Sequence, residues 1–72
     1  MGGVGMEIQV NGKKMSLDES ISLEELVKRM DHDKRRIAAE VNLEIIDKEH
    51  YGSVMLKEGD IVEIVSFMGG GC

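Results

Sequence analysis

Seventy-two residues leave room for one domain, and a domain of this size buries only about 60% of the surface its unfolded chain exposes. Fourteen acidic against nine basic residues give a formal net charge of −5. That balance argues against nucleic acid, whose phosphates need a Lys/Arg excess, and suits a partner with a basic docking surface. The single cysteine cannot form an internal disulfide, and no apolar run approaches the roughly 20 residues that span a bilayer. Met1-Gly2-Gly3-Val4-Gly5 lacks the charged and apolar regions of a signal peptide, so the expected setting is the cytoplasm. A chain this short has little room for an internal active site and is expected to present a surface or an end to a larger partner.

Residues 1–5 read as a flexible N-terminal extension, with Met6 able to serve as a start in its own right. Met6-Glu7-Ile8-Gln9-Val10 alternates apolar and polar, the period of a half-buried strand. Asn11-Gly12 tolerates the positive φ of a type I′ turn and predicts a hairpin returning through Lys13 to Leu17. A helix follows. Ser22 is its N-cap, Glu25 completes a capping box, and Ile21 and Leu26 occupy the positions of a hydrophobic staple. Leu23, Leu26, Val27 and Met30 recur on one helical face, and Lys28 and Arg29 complement the dipole in the last turn.

The polar stretch Asp31 to Arg36, with its basic run Lys34-Arg35-Arg36, reads as a solvated loop. Ile37 to Val41 reads as a strand, Asn42 as a bend, and Leu43 to Ile46 as a short apolar segment. Asp47 to Ser53 is expected to be loop with one helical turn, and Lys57-Glu58-Gly59-Asp60 a turn. Ile61 to Phe67 is β-branched and strand-like. Met6, Met15, Met30 and Met55 are expected to fill the core.

The order β-β-α-β, a short irregular section, then β predicts an α+β fold of the β-grasp type. One main helix covers one face of a mixed sheet of four to five strands, and the first and last strands lie side by side in its middle. Alternation puts Ile8, Val10, Val62 and Ile64 on the helix side and Glu63, Val65 and Phe67 on the other. The expected domain is 6–68, followed by a flexible tail, 69–72.

Gly69, Gly70 and Gly71 are costly to order and pack nothing. With no Cβ, they let backbone enter a narrow channel. Met68 to Gly71, at no more than about 3.6 Å per residue, reaches on the order of 14 Å beyond the final strand. That threads a chain end into another enzyme's active site while the folded body stays outside. A terminal glycine carboxylate, ionised above roughly pH 3.5, is a poor electrophile. ATP activation to an acyl-adenylate lets a sulfur nucleophile displace AMP and leave a thiocarboxylate. Asp31-His32-Asp33 lacks convergent ligands, no nucleophile–base pair is visible, and no glycine loop opens a helix as a phosphate cradle. The expectation is no catalytic residue, no metal site and no bound cofactor: a protein co-substrate rather than an enzyme.

The stretch Glu58-Gly59-Asp60-Ile61-Val62-Glu63-Ile64-Val65-Ser66-Phe67-Met68-Gly69-Gly70-Gly71 resembles the end of the thiamine-biosynthesis sulfur carrier family. So do Val10-Asn11-Gly12-Lys13 at the start and Ile37 to Ile46 in the middle. The resemblance covers about residues 6–71 and implies a ubiquitin-like fold. It implies that the Gly71 carboxylate is adenylated by an adenylyltransferase related to ubiquitin-activating enzymes. Sulfur then comes from cysteine through a desulfurase and passes to thiazole synthase. It also implies docking through the exposed sheet face near the tail, which falls on Val65, Phe67 and Met68.

Two features depart from the family. Asp47-Lys48 stands where a Pro-Arg pair is frequent, and Cys72 ties up the Gly71 carboxyl in a peptide bond. By analogy with relatives that carry residues beyond the diglycine, Cys72 is expected to be a mask removed by a metalloprotease. An artificial addition for ligation, or direct use of its thiol, are the other readings. Alternatives to thiamine are a carrier for cysteine, methionine, molybdopterin or a thio-containing natural product, and a β-grasp binding domain that carries nothing.

Overall fold

A computed structural model describes residues 5–66, so the expectations placed on 1–4 and on 67–72 lie outside the described residues. Strand β1 (Met6–Val10) and β2 (Lys13–Leu17) form the expected hairpin, with Asn11 at φ 52 and Gly12 at φ 82. Both left-handed residues are of types that adopt that conformation at little cost, which is why the register is fixed locally.

Helix α1 spans Leu23–Arg29, and the Ser22 hydroxyl accepts from the Glu25 N–H at 3.1 Å. The return arm of the expected capping box is replaced. The Glu25 carboxylate takes the Arg29 Nε one turn on, also at 3.1 Å, because an i,i+4 carboxylate–guanidinium bond is charge-assisted and within easy reach. The chain enters the helix beside the segment around Met55: Leu23 N–H donates to Val54 O and Leu56 N–H to Ile21 O, each at 2.9 Å.

Strand β3 (Ile37–Val41), β4 (Glu44–Ile46) and β5 (Ile61–Ser66) complete a five-stranded sheet in the order β2-β1-β5-β3-β4. β1 and β5 run parallel and every other pair antiparallel. This is the mixed β-grasp sheet, with first and last strands adjacent at its centre. Lys34–Arg36 forms a 3₁₀ turn rather than the plain solvated loop expected. The Asp33 side chain accepts from Arg35 N–H at 2.9 Å and starts that turn. A second 3₁₀ turn, Lys48–His50, is the helical turn anticipated after β4.

Ile8, Val10, Val62 and Ile64 are buried against Leu23, Leu26 and Val27, as alternation requires. Met6, Met15 and Met30 pack at the margin of this core. Met55 does not: it is 50% exposed, because the bridge to Ser22 turns its neighbour Leu56 inward and Met55 outward. Tyr51, fully buried and among the largest core side chains, was not expected. Its carbonyl accepts from Glu24 N–H at 3.0 Å, so the segment after β4 closes the core and helps cap α1 together.

The β3–β4 turn holds a left-handed leucine. Leu43 has φ 73, is 89% exposed and follows Asn42 at φ 53. The left-handed conformation costs a Cβ-bearing residue roughly 1–2 kcal/mol, and here no burial offsets it. Leu43→Gly is therefore expected to raise stability in urea by about 0.5–1 kcal/mol, the entropy of the added glycine taking back part of the gain. Tyr51→Ala is expected to cost about 3–5 kcal/mol by opening a cavity under α1.

Candidate functional site

β5 carries the chain toward Gly71, and its backbone is held along both edges. On the β1 side, Gln9 N–H donates to Asp60 O and Asn11 N–H to Val62 O, each at 2.9 Å. Where β1 ends, the Asn11 side-chain oxygen accepts from Ile64 N–H at 2.8 Å and extends the ladder by one rung. On the β3 side, Asn42 N–H donates to Ile61 O at 2.7 Å, and its side-chain oxygen accepts from Ile61 N–H at 3.0 Å. The Asn42 amide also donates to Asp60 Oδ1 at 3.0 Å, while Lys57 N–H donates to Asp60 Oδ2 at 2.8 Å. Asp60, 7% exposed, is thereby satisfied at both oxygens. Asn11 and Asn42 thus combine positive-φ turn chemistry with clamping of the central strand.

Of the expected docking residues, Val65 is described. It is 59% exposed, opposite Ala38 on the sheet face away from α1. Phe67 and Met68, the glycines Gly69, Gly70 and Gly71, and Cys72 lie outside the described residues. Three residues of the same face escaped sequence reasoning. Ile61 shares it with Val65 by strand alternation, a signal present in the sequence. Ile45, 71% exposed, joins it only through the β3–β4 register, in which it lies opposite Glu40. Glu40 in turn is the Cα partner of Glu63, so the two side chains leave the sheet on the same face at adjoining positions.

The end of the sheet at Ser66 is basic. Ile37 pairs with Ser66, and the 3₁₀ turn Lys34–Arg36 immediately precedes Ile37. Lys34 Nζ lies 3.3 Å from Glu24 Oε2, and Arg35 donates to both Asp33 oxygens at 3.2 and 3.0 Å. The Arg36 side chain is exposed and has no partner among the described residues. Among the described residues no three His, Cys, Asp or Glu side chains converge on a metal position. Nor is any described helix long and apolar enough to cross a membrane.

The hydrogen bonds from the Arg35 side chain and backbone lower the Asp33 carboxyl from the usual 3.8 to about 2. The folded carboxyl holds its proton less tightly than the unfolded one. The contribution of the turn is therefore present above pH 3.8 and is lost as the pH falls through about 2. A carboxyl ¹³C titration should place Asp33 near pH 2 and, in Arg35→Ala, higher but still below 3.8, because the backbone N–H bond at position 35 survives the substitution. An unchanged midpoint in the variant would refute the pairing.

Comparison with known proteins gives a consistent set of likenesses. The ThiS family profile matches residues 7–71. The sulfur carrier protein ThiS of Bacillus subtilis is 35% identical over 65 residues, covering 89% of this chain and 98% of that protein. A thiazole synthase of Paramagnetospirillum magneticum is 39% identical over 66 residues, covering 92% of this chain. The match spans only 20% of that enzyme's length. The crystal structure of a thiamine biosynthesis protein (ThiS) from Geobacter metallireducens superposes with a TM-score of 0.79 at 35% identity, covering 92% of this chain and all of that one.

Proposed function

The chain belongs to the ThiS family, and from that membership we propose that it is a sulfur carrier for thiamine biosynthesis whose working group is the Gly71 carboxyl. The observation that supports this most directly is the position of β5. A central strand clamped on both edges is followed in the sequence, three positions after Ser66, by Gly69-Gly70-Gly71. A rigid body therefore fixes where the tail begins, and the glycines supply a narrow, unhindered end.

The chemistry is divided between carrier and partner. An adenylyltransferase related to ubiquitin-activating enzymes joins the Gly71 carboxylate to the α-phosphate of ATP and releases pyrophosphate. A sulfide-level nucleophile, its sulfur derived from cysteine through a desulfurase, then attacks the acyl carbon. The carbon–oxygen bond to AMP breaks, AMP leaves, and a thiocarboxylate remains. The carrier itself is not an enzyme. It contributes the acyl group and the address, while ATP and the sulfur donor act through the partner.

Thiazole synthase is the proposed acceptor. A relative in which a segment like this chain makes up a fifth of a thiazole synthase supports a working association between the two. Cys72 acts as a mask that a metalloprotease removes to free Gly71. Val65, with Phe67 and Met68, docks the activating enzyme, and the cytoplasm is where these partners meet.

Mass spectrometry tests the reading. A version ending at Gly71, incubated with the adenylyltransferase, ATP and sulfide, is expected to gain the mass difference between sulfur and oxygen at its terminus. The full chain is expected to gain nothing until Cys72 is removed. A Gly71-ended chain that stays unmodified with every candidate activating enzyme would favour a β-grasp domain that carries nothing.

A further inference from the structure

We infer that Arg36 and the Glu40–Glu63 pair form a charge register that fixes the direction in which the activating enzyme docks on the open sheet face. A carboxylate of that enzyme meets Arg36 at the root of the tail, and a Lys or Arg of it settles against Glu40 and Glu63. The inference rests on the carrier reading above and adds to it the residues that orient the partner.

Glu40 and Glu63 are Cα partners in the β3–β5 ladder. Side chains directly opposite in an antiparallel pair have Cβ atoms about 5 Å apart, and like charges so placed are destabilising. Neither carboxylate has a cation partner among the described residues. The open face therefore carries two carboxylates at adjoining positions with no cation of the described chain paired to them, a place suited to a cation from outside. The surroundings favour such an arrival: Val65 and Ala38 lie on the tail side of the pair, and exposed Ile45 and Ile61 stand near it. Apolar contact there excludes water and strengthens the charge pairing it encloses.

Arg36 supplies the opposite sign. It precedes Ile37, the partner of Ser66, and so stands beside the last described residue of β5. Its two basic neighbours are ion-paired within the chain, Lys34 with Glu24 and Arg35 with Asp33, whereas Arg36 lies within Coulombic reach of Asp33 without forming an ion pair. Glu40 stands four positions after Arg36, at most about 13 Å along the chain at roughly 3.3 Å per residue. Read from the tail, the order is cation, apolar pair, paired anions. That order has a direction. A surface complementary to it meets like charges if turned end for end, and Gly71 then points away from the enzyme's channel.

The test uses the full chain and the purified adenylyltransferase that activates it, with Kd measured at low and high salt. Arg36→Glu and Glu63→Lys are each expected to weaken binding by about tenfold or more at low salt, with the loss shrinking as salt screens the pairing. Glu63→Lys is also expected to raise the Tm of the free chain, because an opposed like pair becomes an opposed ion pair. A merely structural role for Glu63 would move stability and affinity together. Should that substitution disturb the fold, the near-isosteric Glu63→Gln is expected to weaken binding by about threefold. Variants that bind within twofold of the parent, or that lose affinity equally at every salt concentration, overturn the register. A parent that neither binds nor, ended at Gly71, gains sulfur overturns the carrier reading and the register with it.

Discussion

Everything in this molecule depends on satisfying both edges of one strand. β5 lies in the centre of the sheet, with β1 parallel on one side and β3 antiparallel on the other. A buried strand with an unpaired edge is costly, yet β1 pairs only with the start of β5. The shortfall is met by side chains. Asn11 adds a rung beyond the end of β1, and Asn42, locked to the buried Asp60, secures the start of β5 against the β3–β4 turn. Both asparagines occupy left-handed turn positions. The same residues thus reverse the chain and fasten its most important strand, which fixes the place from which the tail departs.

The parts of this design that were legible in sequence are those set by neighbours along the chain. Asn11-Gly12 specified the first hairpin, Ser22 capped α1, and alternation assigned Val62 and Ile64 to the core and Val65 to the open face. The parts that were not legible are set by contacts distant in sequence. Tyr51 sits in a polar stretch with no periodicity, and only its packing under α1 makes it core. Met55 is turned outward by a bridge to Ser22. Glu25 forsakes its expected return bond because Arg29 stands one turn away. At the site, Ile45 and the Glu40–Glu63 opposition exist only through strand register, and the basic run changes meaning once Asp33 folds it into a turn beside Ser66.

Bodies similar to this one occur in two settings. The Bacillus carrier is matched along nearly its whole length, whereas in the Paramagnetospirillum thiazole synthase a similar segment is one part of a larger protein. A body suited to both needs a dependable surface and a fixed exit more than a pocket. The open sheet face provides the surface, with a half-buried Glu40, an exposed Val65 and an exposed Ile45 on one rigid plane. The basic turn lies at the end of that plane where Ile37 pairs with Ser66.

Because Asn11 clasps Ile64 from 53 positions upstream, the sheet has no centre until nearly all of the chain has been made. A nascent copy still lacking β5 holds two separate hairpins and a helix with nothing to unite them, a state open to cellular proteases. Completion of the body and arrival of the glycine run at the ribosome exit are therefore almost one event. A copy whose sheet has closed has therefore, by its construction, already been translated through the glycine run, so a truncated chain cannot pass for a folded one.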